Sequence, residues 1–406
     1  MIFPSSLKNR RVVLGVTGGI AAYKAAYLVR LFRQAGAGVS VVMTQAATRF
    51  VCPLTFEALS ENPVYTDMWK DNSQGKITHI ALAKEADVVV VAPATANSIA
   101  RFANGIADDA LSTLMLAVTA PKLVAPSMNI NMYENPATQT NLQTLARRGF
   151  CVLAPGIGFL ACGDEGKGRM PDPEIILDRA AALITKKDLA GKRVLVTAGP
   201  TREYMDPVRF ISNPSSGKMG FALARACEHR GADVTLVTGP VEMDDPINMS
   251  VIRVTTALEM ARAVLDRASD QDLVFKAAAV SDYRPAAPAE QKIKDSRNTE
   301  VLELAPNPDI LLELGRKKGR TVLVGFAAET QKLEEHSAQK MQKKNLDMIV
   351  GNIVGVPDSG FGADSNTVTC FYPDAPPDRL EPQSKDAVAH AVIDRAIAIY
   401  RKKGYE

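Results

Sequence analysis

The stretch Arg11-Val12-Val13-Leu14-Gly15-Val16-Thr17-Gly18-Gly19-Ile20 decides the fold of the first half of this chain. A short β-branched run ends in a glycine turn, and an amphipathic helical pattern follows over residues 21–34. A strand, a turn and a helix in this order begin a βαβ unit, in which the turn and the helix N-terminus can approach a phosphate. The stretch therefore predicts an α/β domain that binds a mononucleotide phosphate, with a purely structural glycine turn as the alternative.

The turn differs from the fingerprint of dinucleotide-binding proteins. The pattern G-x-G-x-x-G would need glycine at positions 17 and 20, where Thr17 and Ile20 stand. The next β-branched run ends at Met43-Thr44 without the acidic residue that reads a ribose. A dinucleotide-dependent oxidoreductase is therefore disfavoured.

Short buried-strand patterns alternate with helical patterns along the whole chain, which is typical of parallel sheets covered by helices. The predicted strands cover residues 12–16, 39–43, 88–92, 123–125, 151–153, 193–199, 233–237, 273–275, 322–326 and 348–350. The pattern restarts after the polar segment 186–192, so the boundary is predicted near residue 188. The sequence therefore predicts two tandem Rossmann-like α/β domains, at residues 1–188 and 189–406.

Composition narrows the class of protein. The 406 residues carry 48 basic and 45 acidic side chains, and a net charge of +3 gives no footprint of a nucleic-acid binder. The five cysteines lack any C-x-x-C pair, so neither a disulfide framework nor a zinc site is expected, and a reducing cytoplasm fits best. The apolar run 12–23 is broken by glycines and is not interpreted as a signal peptide. No stretch approaches the roughly 20 apolar residues of a membrane span.

The second domain begins with a long loop over residues 197–220 that contains Ser215-Ser216-Gly217-Lys218. A P-loop would need glycine five places before the Gly-Lys pair and a hydroxyl residue after it, but Ser212 and Met219 occupy those positions. Walker-type nucleotide binding is therefore excluded.

The glycine turn and four later segments together resemble the flavin-dependent phosphopantothenoylcysteine decarboxylases. The turn extends as G-V-T-G-G-I-A-A-Y-K, and the later segments are His79-Ile80, residues 92–97 (A-P-A-T-A-N), residues 126–133 (P-S-M-N-I-N-M-Y) and residues 161–170 (A-C-G-D-E-G-K-G-R-M). Five matches in the same order are far more specific than one turn. The resemblance implies a flavodoxin-like domain that binds FMN.

The resemblance also implies roles for individual residues. In this family FMN oxidises the substrate thiol, so that the neighbouring carboxylate can leave as carbon dioxide. Cys162 occupies the proton-donor position, His79 would act in decarboxylation or proton transfer, and Asn129 would bind the departing carboxylate. The expected flavin contacts are Gly18, Gly19, Ile20, Thr44, Thr95 and Asn97.

The second domain resembles the phosphopantothenate–cysteine ligases that use CTP. The match runs through residues 197–220, 275–283 (F-K-A-A-A-V-S-D-Y), 292–294, 307–310, 325–330 (G-F-A-A-E-T) and 343–347. Such ligases activate a carboxylate as an acyl-cytidylate, release pyrophosphate and let the amine of cysteine attack. Both steps concentrate negative charge, which lysines and Mg²⁺ can neutralise.

The ligase resemblance assigns a second set of residues. Asn213 would serve turnover of the acyl-cytidylate, Lys292 would face the nucleotide phosphates, and Arg209 is a candidate for the phosphate of phosphopantothenate. The remaining expected nucleotide contacts are Ala278, Asp282, Pro308, Asp309, Ile310, Leu311, Phe326, Lys340 and Lys344. Lys276 receives no role, and the magnesium ligands stay unassigned.

The two activities belong together, because the product of the ligase is the substrate of the decarboxylase. The whole sequence is therefore predicted to be a bifunctional enzyme of coenzyme A biosynthesis. The resemblance further implies trimeric decarboxylase units and dimeric ligase domains. The main alternative is a binding or regulatory protein whose flavin domain has lost catalysis. The joint presence of His79, Asn129 and Cys162 argues against that alternative.

Overall fold

The computed structural model describes residues 3–69, 78–159, 163, 165–294, 301–329, 331–353 and 362–405. Contacts between residues divide the chain into two units that meet between Thr185 and Lys186. Every described helix is too short or too polar to cross a lipid bilayer. Each unit is an α/β sandwich and is described by itself.

The N-terminal unit alternates strands and helices from its first strand to its last helix. The strands are β1 Arg11–Val16, β2 Gly38–Met43, β3 Val88–Ala94, β4 Lys122–Pro126, β5 Cys151–Val152, β6 Gly156–Phe159 and β7 Glu165–Arg169. The helices are α1 Ala22–Gln34, α2 Pro53–Ser60, α3 Thr78–Glu85, α4 Ala96–Asn104, α5 Ala110–Ala117, α6 Ile130–Glu134, α7 Pro136–Arg147 and α8 Pro173–Ile184.

Strands β1 to β5 form one parallel sheet in the order β2-β1-β3-β4-β5. Its central strands are apolar on both faces because helices cover both: Leu14 packs with Phe32 on one side, and Val13 packs with Leu111 on the other. The chain leaves β1 toward β2 but reaches β3 on the opposite side of β1. A crevice consequently opens between the carboxyl ends of β1 and β3, where ligands bind in sheets of this type.

The C-terminal unit repeats this alternation on a larger scale. The strands are β8 Arg193–Ala198, β9 Arg202–Tyr204, β10 Phe210–Ser212, β11 Asp233–Thr238, β12 Ser250–Arg253, β13 Leu273–Lys276, β14 Tyr283–Pro285, β15 Leu304–Pro306, β16 Val322–Glu329, β17 Met348–Ile353, β18 Ser365–Phe371 and β19 Asp378–Ser384. The helices are α9 Lys218–His229, α10 Ala257–Leu265, α11 Ile310–Lys317, α12 Leu333–Lys343 and α13 Lys385–Lys402.

The main sheet of this unit has the order β12-β11-β8-β13-β16-β17-β18-β19. The first six strands in this order, β12, β11, β8, β13, β16 and β17, are parallel, and an antiparallel hairpin, β18 and β19, closes one edge. Two apolar cores cover its faces, one around α9 and α13 and the other around α10 and α11. The topological switch lies between β8 and β13, as it lies between β1 and β3 in the first unit.

The predicted loop over residues 197–220 is partly structured. Strands β9 and β10 pair within it as an antiparallel hairpin, and α9 begins at Lys218. The two strands flank the polar sequence around Asp206 and Pro207. Each has only three residues, which is too short for a recognisable alternation of polar and apolar residues.

Candidate active sites

The switch point of the N-terminal unit is organised by a threonine that ends the first strand's apolar run. The hydroxyl of Thr17 is fully buried, donates to the carbonyl of Pro93 at 2.7 Å and accepts from the amide of Thr95 at 3.0 Å. These two bonds tie the loop after β1 to the loop after β3. The sequence analysis gave Thr17 no role, although a polar residue closing an apolar strand marks such a position.

Gly18 and Thr44 bring a third loop to the same edge. A methyl group on Gly18 would lie 2.4 Å from the Cβ of Ala46 and 2.9 Å from its carbonyl carbon, so only glycine fits. Thr44 follows β2 directly, and its hydroxyl accepts from the amide of Ala47 at 3.3 Å. The loops after β1, β2 and β3 therefore form one cradle.

A cavity of about 730 Å³ opens beside this cradle. Of the predicted site residues, Gly18, Gly19, Ile20, Thr95 and Asn129 line it. Exposed apolar side chains surround the opening: Ile20, Tyr23, Met132 and Phe159 are between 50% and 75% exposed. A polar cradle and an apolar rim suit a ligand with a phosphate at one end and an aromatic ring system at the other.

Asn129 is held at this cavity by two elements. It caps α6, where its side-chain oxygen accepts from the amide of Asn131 at 2.8 Å. The β6–β7 hairpin packs behind it, since the amide of Met128 donates to the carbonyl of Gly168 at 2.9 Å. Gly168 has a φ of +148°, and a Cβ there would meet the carbonyl oxygen of Met128 at 2.2 Å. The hairpin therefore approaches Asn129 as closely as backbone atoms allow.

The other predicted residues of this domain lie elsewhere. Thr44 and Asn97 are not among the described residues that line the cavity, although both follow strands of the same edge. His79 is half-buried on α3 and does not line the cavity either. Cys162 lies outside the described residues. Its role stays a prediction.

The switch point of the C-terminal unit uses the same device. Thr197 is buried one residue before the end of β8, and its hydroxyl accepts from the amide of Ala278 at 3.1 Å, across the gap to β13. The amide of Ala279 donates to the carbonyl of Gly199 at 2.9 Å. The side-chain amide of Asn213 donates to the carbonyl of Ala279 at 3.1 Å. Asn213 is thus fixed beside the segment after β13.

A cavity of about 800 Å³ lies over this switch point. Ten predicted site residues line it: Asn213, Ala278, Asp282, Pro308, Asp309, Ile310, Leu311, Phe326, Lys340 and Lys344. Among the described residues, its lysines outnumber its carboxylates six to two, the lysines being Lys218, Lys276, Lys340, Lys343, Lys344 and Lys385. Such an excess of cationic groups in one concave site favours a polyanionic ligand.

Three of these lysines are paired with carboxylates. Lys218 Nζ lies 2.7 Å from Asp364. Lys344 Nζ lies 2.9 Å from Asp309, whose side chain also caps α11 by accepting from the amide of Leu312 at 3.1 Å. Lys340 Nζ lies 3.8 Å from Glu329. Burial alone would raise the pKa of Asp309, but the bonds from Lys344 and Leu312 hold that pKa below its usual value.

Lys276 is a third lysine at this end of the cavity, and the sequence analysis left it without a role. It closes β13, and its Nζ donates to the carbonyl of Ala278 at 3.0 Å. Burial, followed by the charges of Lys344 and Lys340, lowers the pKa of Lys276 to about 8, although Asp309 and Asp282 act in the opposite direction. The site therefore contains a lysine whose protonation varies near neutral pH.

Arg209 and Lys292 do not line the cavity, and Arg209 contacts the residue that follows Lys292. The Arg209 guanidinium donates to Asp206 through Nε at 2.8 Å and Nη2 at 2.6 Å, and also to the carbonyl of Ile293 at 2.6 Å. Asp206 further accepts from the amide of Ile293 at 3.2 Å. The exposed Lys292 is therefore carried on a loop that is fastened to the β9–β10 hairpin through Asp206.

Asp206 stays ionised throughout the neutral range. Burial would raise its pKa, but the amides of Arg209 and Val208 and the Arg209 side chain outweigh it and hold the pKa far below its usual value. A depressed carboxyl pKa contributes stability above the unfolded value near ~4, and this contribution is lost only as pH falls through the folded value. The fastening of the Lys292 loop is consequently insensitive to pH in any ordinary assay.

Replacing Asp206 with asparagine should release this loop. We expect Asp206→Asn to lower ligase activity severalfold, because Arg209 and the amide of Ile293 lose their shared acceptor. Steady-state rates and thermal unfolding of the variant check this result. Asp245→Asn is the matched control, since the Asp245–Arg253 pair is about half exposed and exposed pairs contribute little. Equal activities of the two variants would contradict the assigned role of Asp206.

Comparison with known families covers both units. Residues 2–185 match the family described as Flavoprotein, and residues 189–400 match the DNA/pantothenate metabolism flavoprotein C-terminal domain. The coenzyme A biosynthesis bifunctional protein CoaBC of Bacillus subtilis (strain 168) is 48% identical over 402 residues, which cover 98% of this chain and 99% of that protein. The chain belongs to the family of bifunctional coenzyme A biosynthesis proteins.

Two further proteins of this kind are similar to the chain. The CoaBC protein of Escherichia coli (strain K12) is 45% identical over 404 residues, covering 98% of this chain and 99% of its own length. A crystal structure of the C-terminal domain of a CoaBC protein is 38% identical and covers 54% of this chain and all of that domain, with a TM-score of 0.46. The predictions of a two-domain α/β fold and of a bifunctional decarboxylase and ligase of coenzyme A biosynthesis are confirmed.

Proposed function

We propose that residues 189–406 ligate cysteine to 4'-phosphopantothenate with CTP, and that residues 1–188 decarboxylate the resulting 4'-phosphopantothenoylcysteine with FMN. The observation that carries the proposal is that family membership spans both units and that each unit has its own cavity at a topological switch point. The product of the reaction sequence is 4'-phosphopantetheine. We also propose that the protein works in the reducing cytoplasm.

The ligase proposal is supported by the excess of lysines in the C-terminal cavity. The carboxylate oxygen of 4'-phosphopantothenate attacks the α-phosphorus of CTP, so that an acyl-cytidylate forms and pyrophosphate leaves. The amine of cysteine then attacks the acyl carbon, CMP leaves and the ammonium proton is lost to water. Lysines stabilise the charge on the phosphates, and the Asn213 amide lies where an acyl oxygen can be oriented. Mg²⁺ would enter with the triphosphate, whose oxygens suit it as ligands.

The flavin proposal is supported by the shape of the N-terminal cavity. Gly18 lets the loops after β1 and β2 pack closely, Gly19 and Thr95 line the cavity at the start of α4, and the apolar rim offers a surface for the ring system. FMN, when bound, supplies the redox chemistry that makes loss of the substrate carboxylate possible. Asn129 would hold that carboxylate through hydrogen bonds without adding a competing charge.

Two further predicted residues of the decarboxylase enter the proposal through the family resemblance. We assign proton donation to Cys162 and proton transfer to His79. His79 does not line the cavity of its own chain, and the cavity rim carries exposed Ile20, Tyr23 and Phe159. Both observations support an assembly in which a second copy covers the rim and brings its own His79 to the cavity. The number of three copies in the decarboxylase units comes from the resemblance. The dimeric state of the ligase domains rests on the resemblance alone.

A single incubation tests both activities. Purified protein is mixed with 4'-phosphopantothenate, CTP, Mg²⁺ and cysteine, and the products are identified by mass spectrometry. The proposal predicts 4'-phosphopantetheine, carbon dioxide, CMP and pyrophosphate. Accumulation of 4'-phosphopantothenoylcysteine would show that only the ligase is active and would favour a regulatory role for the flavin domain. Absence of all products would refute the proposal.

Replacing Cys162 with serine should separate the two halves of the decarboxylation. We expect Cys162→Ser to release carbon dioxide but to leave a product with two hydrogens fewer than phosphopantetheine, because a serine hydroxyl is a far weaker acid than a thiol. Mass spectrometry of the product and trapping of carbon dioxide measure the two events. Cys52→Ser is the control, since Cys52 is exposed and does not line the cavity. A fully reduced product from Cys162→Ser would remove the role of Cys162.

A further inference from the structure

Three lysines converge on one end of the C-terminal cavity, and their pairing differs. Lys344 is neutralised by Asp309, and Lys340 faces Glu329. In the part of the chain that the structure describes, no carboxylate lies within 4.0 Å of Lys276 Nζ, whose hydrogen bond goes to the carbonyl of Ala278. A carbonyl oxygen orients an ammonium group but does not balance its charge. Lys276 is therefore the lysine at this end whose charge a bound anion would balance.

The position of Lys276 ties it to the reaction centre. It is the last residue of β13, at the topological switch, and its Nζ contacts the same segment that Asn213 contacts one residue further on. Ala278 and Ala279 are held by Thr197 and Gly199 of the neighbouring strand and loop, so the base of the Lys276 side chain is fixed. A half-buried lysine on a fixed strand end can meet a ligand with little loss of conformational entropy.

We propose that Lys276 is a further nucleotide-binding residue, whose ammonium group contacts the phosphates of the nucleoside triphosphate. The phosphates would balance the charge of Lys276, which lacks a carboxylate partner among the described residues. The inference rests on the proposed ligase function and adds a residue to it. The charged groups that face Lys276 are Lys344 and Lys340 from α12 and its end, Asp309 at the start of α11, and Asp282 after β13. The two lysines and the two carboxylates cancel each other's charge, so the positive charge of Lys276 itself is not balanced.

Binding of the triphosphate should consequently be linked to uptake of a proton. Without ligand the pKa of Lys276 is about 8, so the side chain is partly neutral at that pH. A polyanion stabilises the charged form and raises the pKa, so protons are taken up as the nucleotide binds. Affinity for the triphosphate should fall as pH rises through this range, when Lys276 must be protonated before it can contribute.

Calorimetric titration of the full chain tests the proposal, with CTP and cytidine as probes. We expect Lys276→Met to weaken CTP binding roughly 10- to 100-fold, as loss of a charge-assisted contact does, and to leave cytidine binding unchanged. At pH 8 the wild-type protein should take up about half a proton per CTP, measured from the dependence of the heat on buffer ionisation. Lys276→Arg should retain binding but abolish this uptake, because guanidinium stays charged.

Lys402→Met is the matched control for the loss of one positive charge, since Lys402 is exposed on α13 and does not line the cavity. Unchanged CTP affinity in Lys276→Met, or equal losses for CTP and cytidine, would overturn the role of Lys276 while leaving the ligase intact. Proton uptake that persists in Lys276→Arg would overturn the linkage. Wild-type protein that binds no CTP would instead refute the ligase proposal itself, and the inference with it.

Discussion

Asn213→Ala should lower ligase turnover by about 10²- to 10³-fold, the cost of removing one hydrogen-bond donor from a preorganised oxyanion site. The Asn213 amide is fixed by its bond to the carbonyl of Ala279, beside the segment that Thr197 holds across the switch point. Alanine leaves that carbonyl without its donor and removes the group that we place at the acyl-cytidylate. Rapid-quench analysis should show turnover stalled at or before this intermediate.

The same chain supplies the control for this variant. Decarboxylation of added 4'-phosphopantothenoylcysteine should proceed at the wild-type rate, because the flavin cavity belongs to the other unit. A drop in both activities would indicate misfolding, which thermal unfolding would reveal. A ligase rate within a few-fold of wild type would exclude Asn213 from the chemistry.

Gly18→Ala should abolish flavin binding and with it the decarboxylase. The added methyl group would lie 2.4 Å from the Cβ of Ala46, and both atoms are attached directly to backbone, so the loops after β1 and β2 must move apart. A displacement of about 1 Å at a reaction centre can cost about 10²-fold in rate. Visible absorbance of the purified protein measures bound flavin, and carbon dioxide release measures activity.

Gly19→Ala is the comparison that isolates the contact with Ala46. A Cβ on Gly19 would meet Thr95 Cγ2 at 3.6 Å, which is ordinary van der Waals contact. This variant should therefore lose less flavin than Gly18→Ala, and the ligase of both should equal that of the wild type. Greater loss in Gly19→Ala would show that room for the ligand, and not the packing of the two loops, makes glycine necessary here.

Local sequence pattern was sufficient for most of the parallel sheets. Strands β1, β3, β8 and β13 are continuous apolar runs because helices cover both of their faces, and such runs are visible without any structure. The β9–β10 hairpin and the antiparallel pair β18 and β19 were not predicted. Strands β9 and β10 have only three residues each and pair with each other, whereas the strand character of β18 and β19 depends on their pairing beside β17.

The motifs predicted ten residues that line the ligase cavity. They did not predict Thr17, Thr197 or Lys276. Thr17 and Thr197 are single polar residues at strand ends, and only the neighbouring strand shows what their hydroxyls bond to. The motif match assigned Lys276 no role, since the charged groups around it lie on α12 and at the start of α11, far along the chain. Arg209, which was expected to bind a phosphate, has its guanidinium bonded to Asp206.

The sequence by itself determined the α/β class, the two-domain order and the bifunctional family, because apolar periodicity and motifs are properties of neighbouring residues. Tertiary structure alone decided which side chains share a cavity, which lysines are neutralised by carboxylates and which lysine has a lowered pKa. These properties depend on distance and burial. Folding sets both by joining loops that are tens of residues apart in the chain.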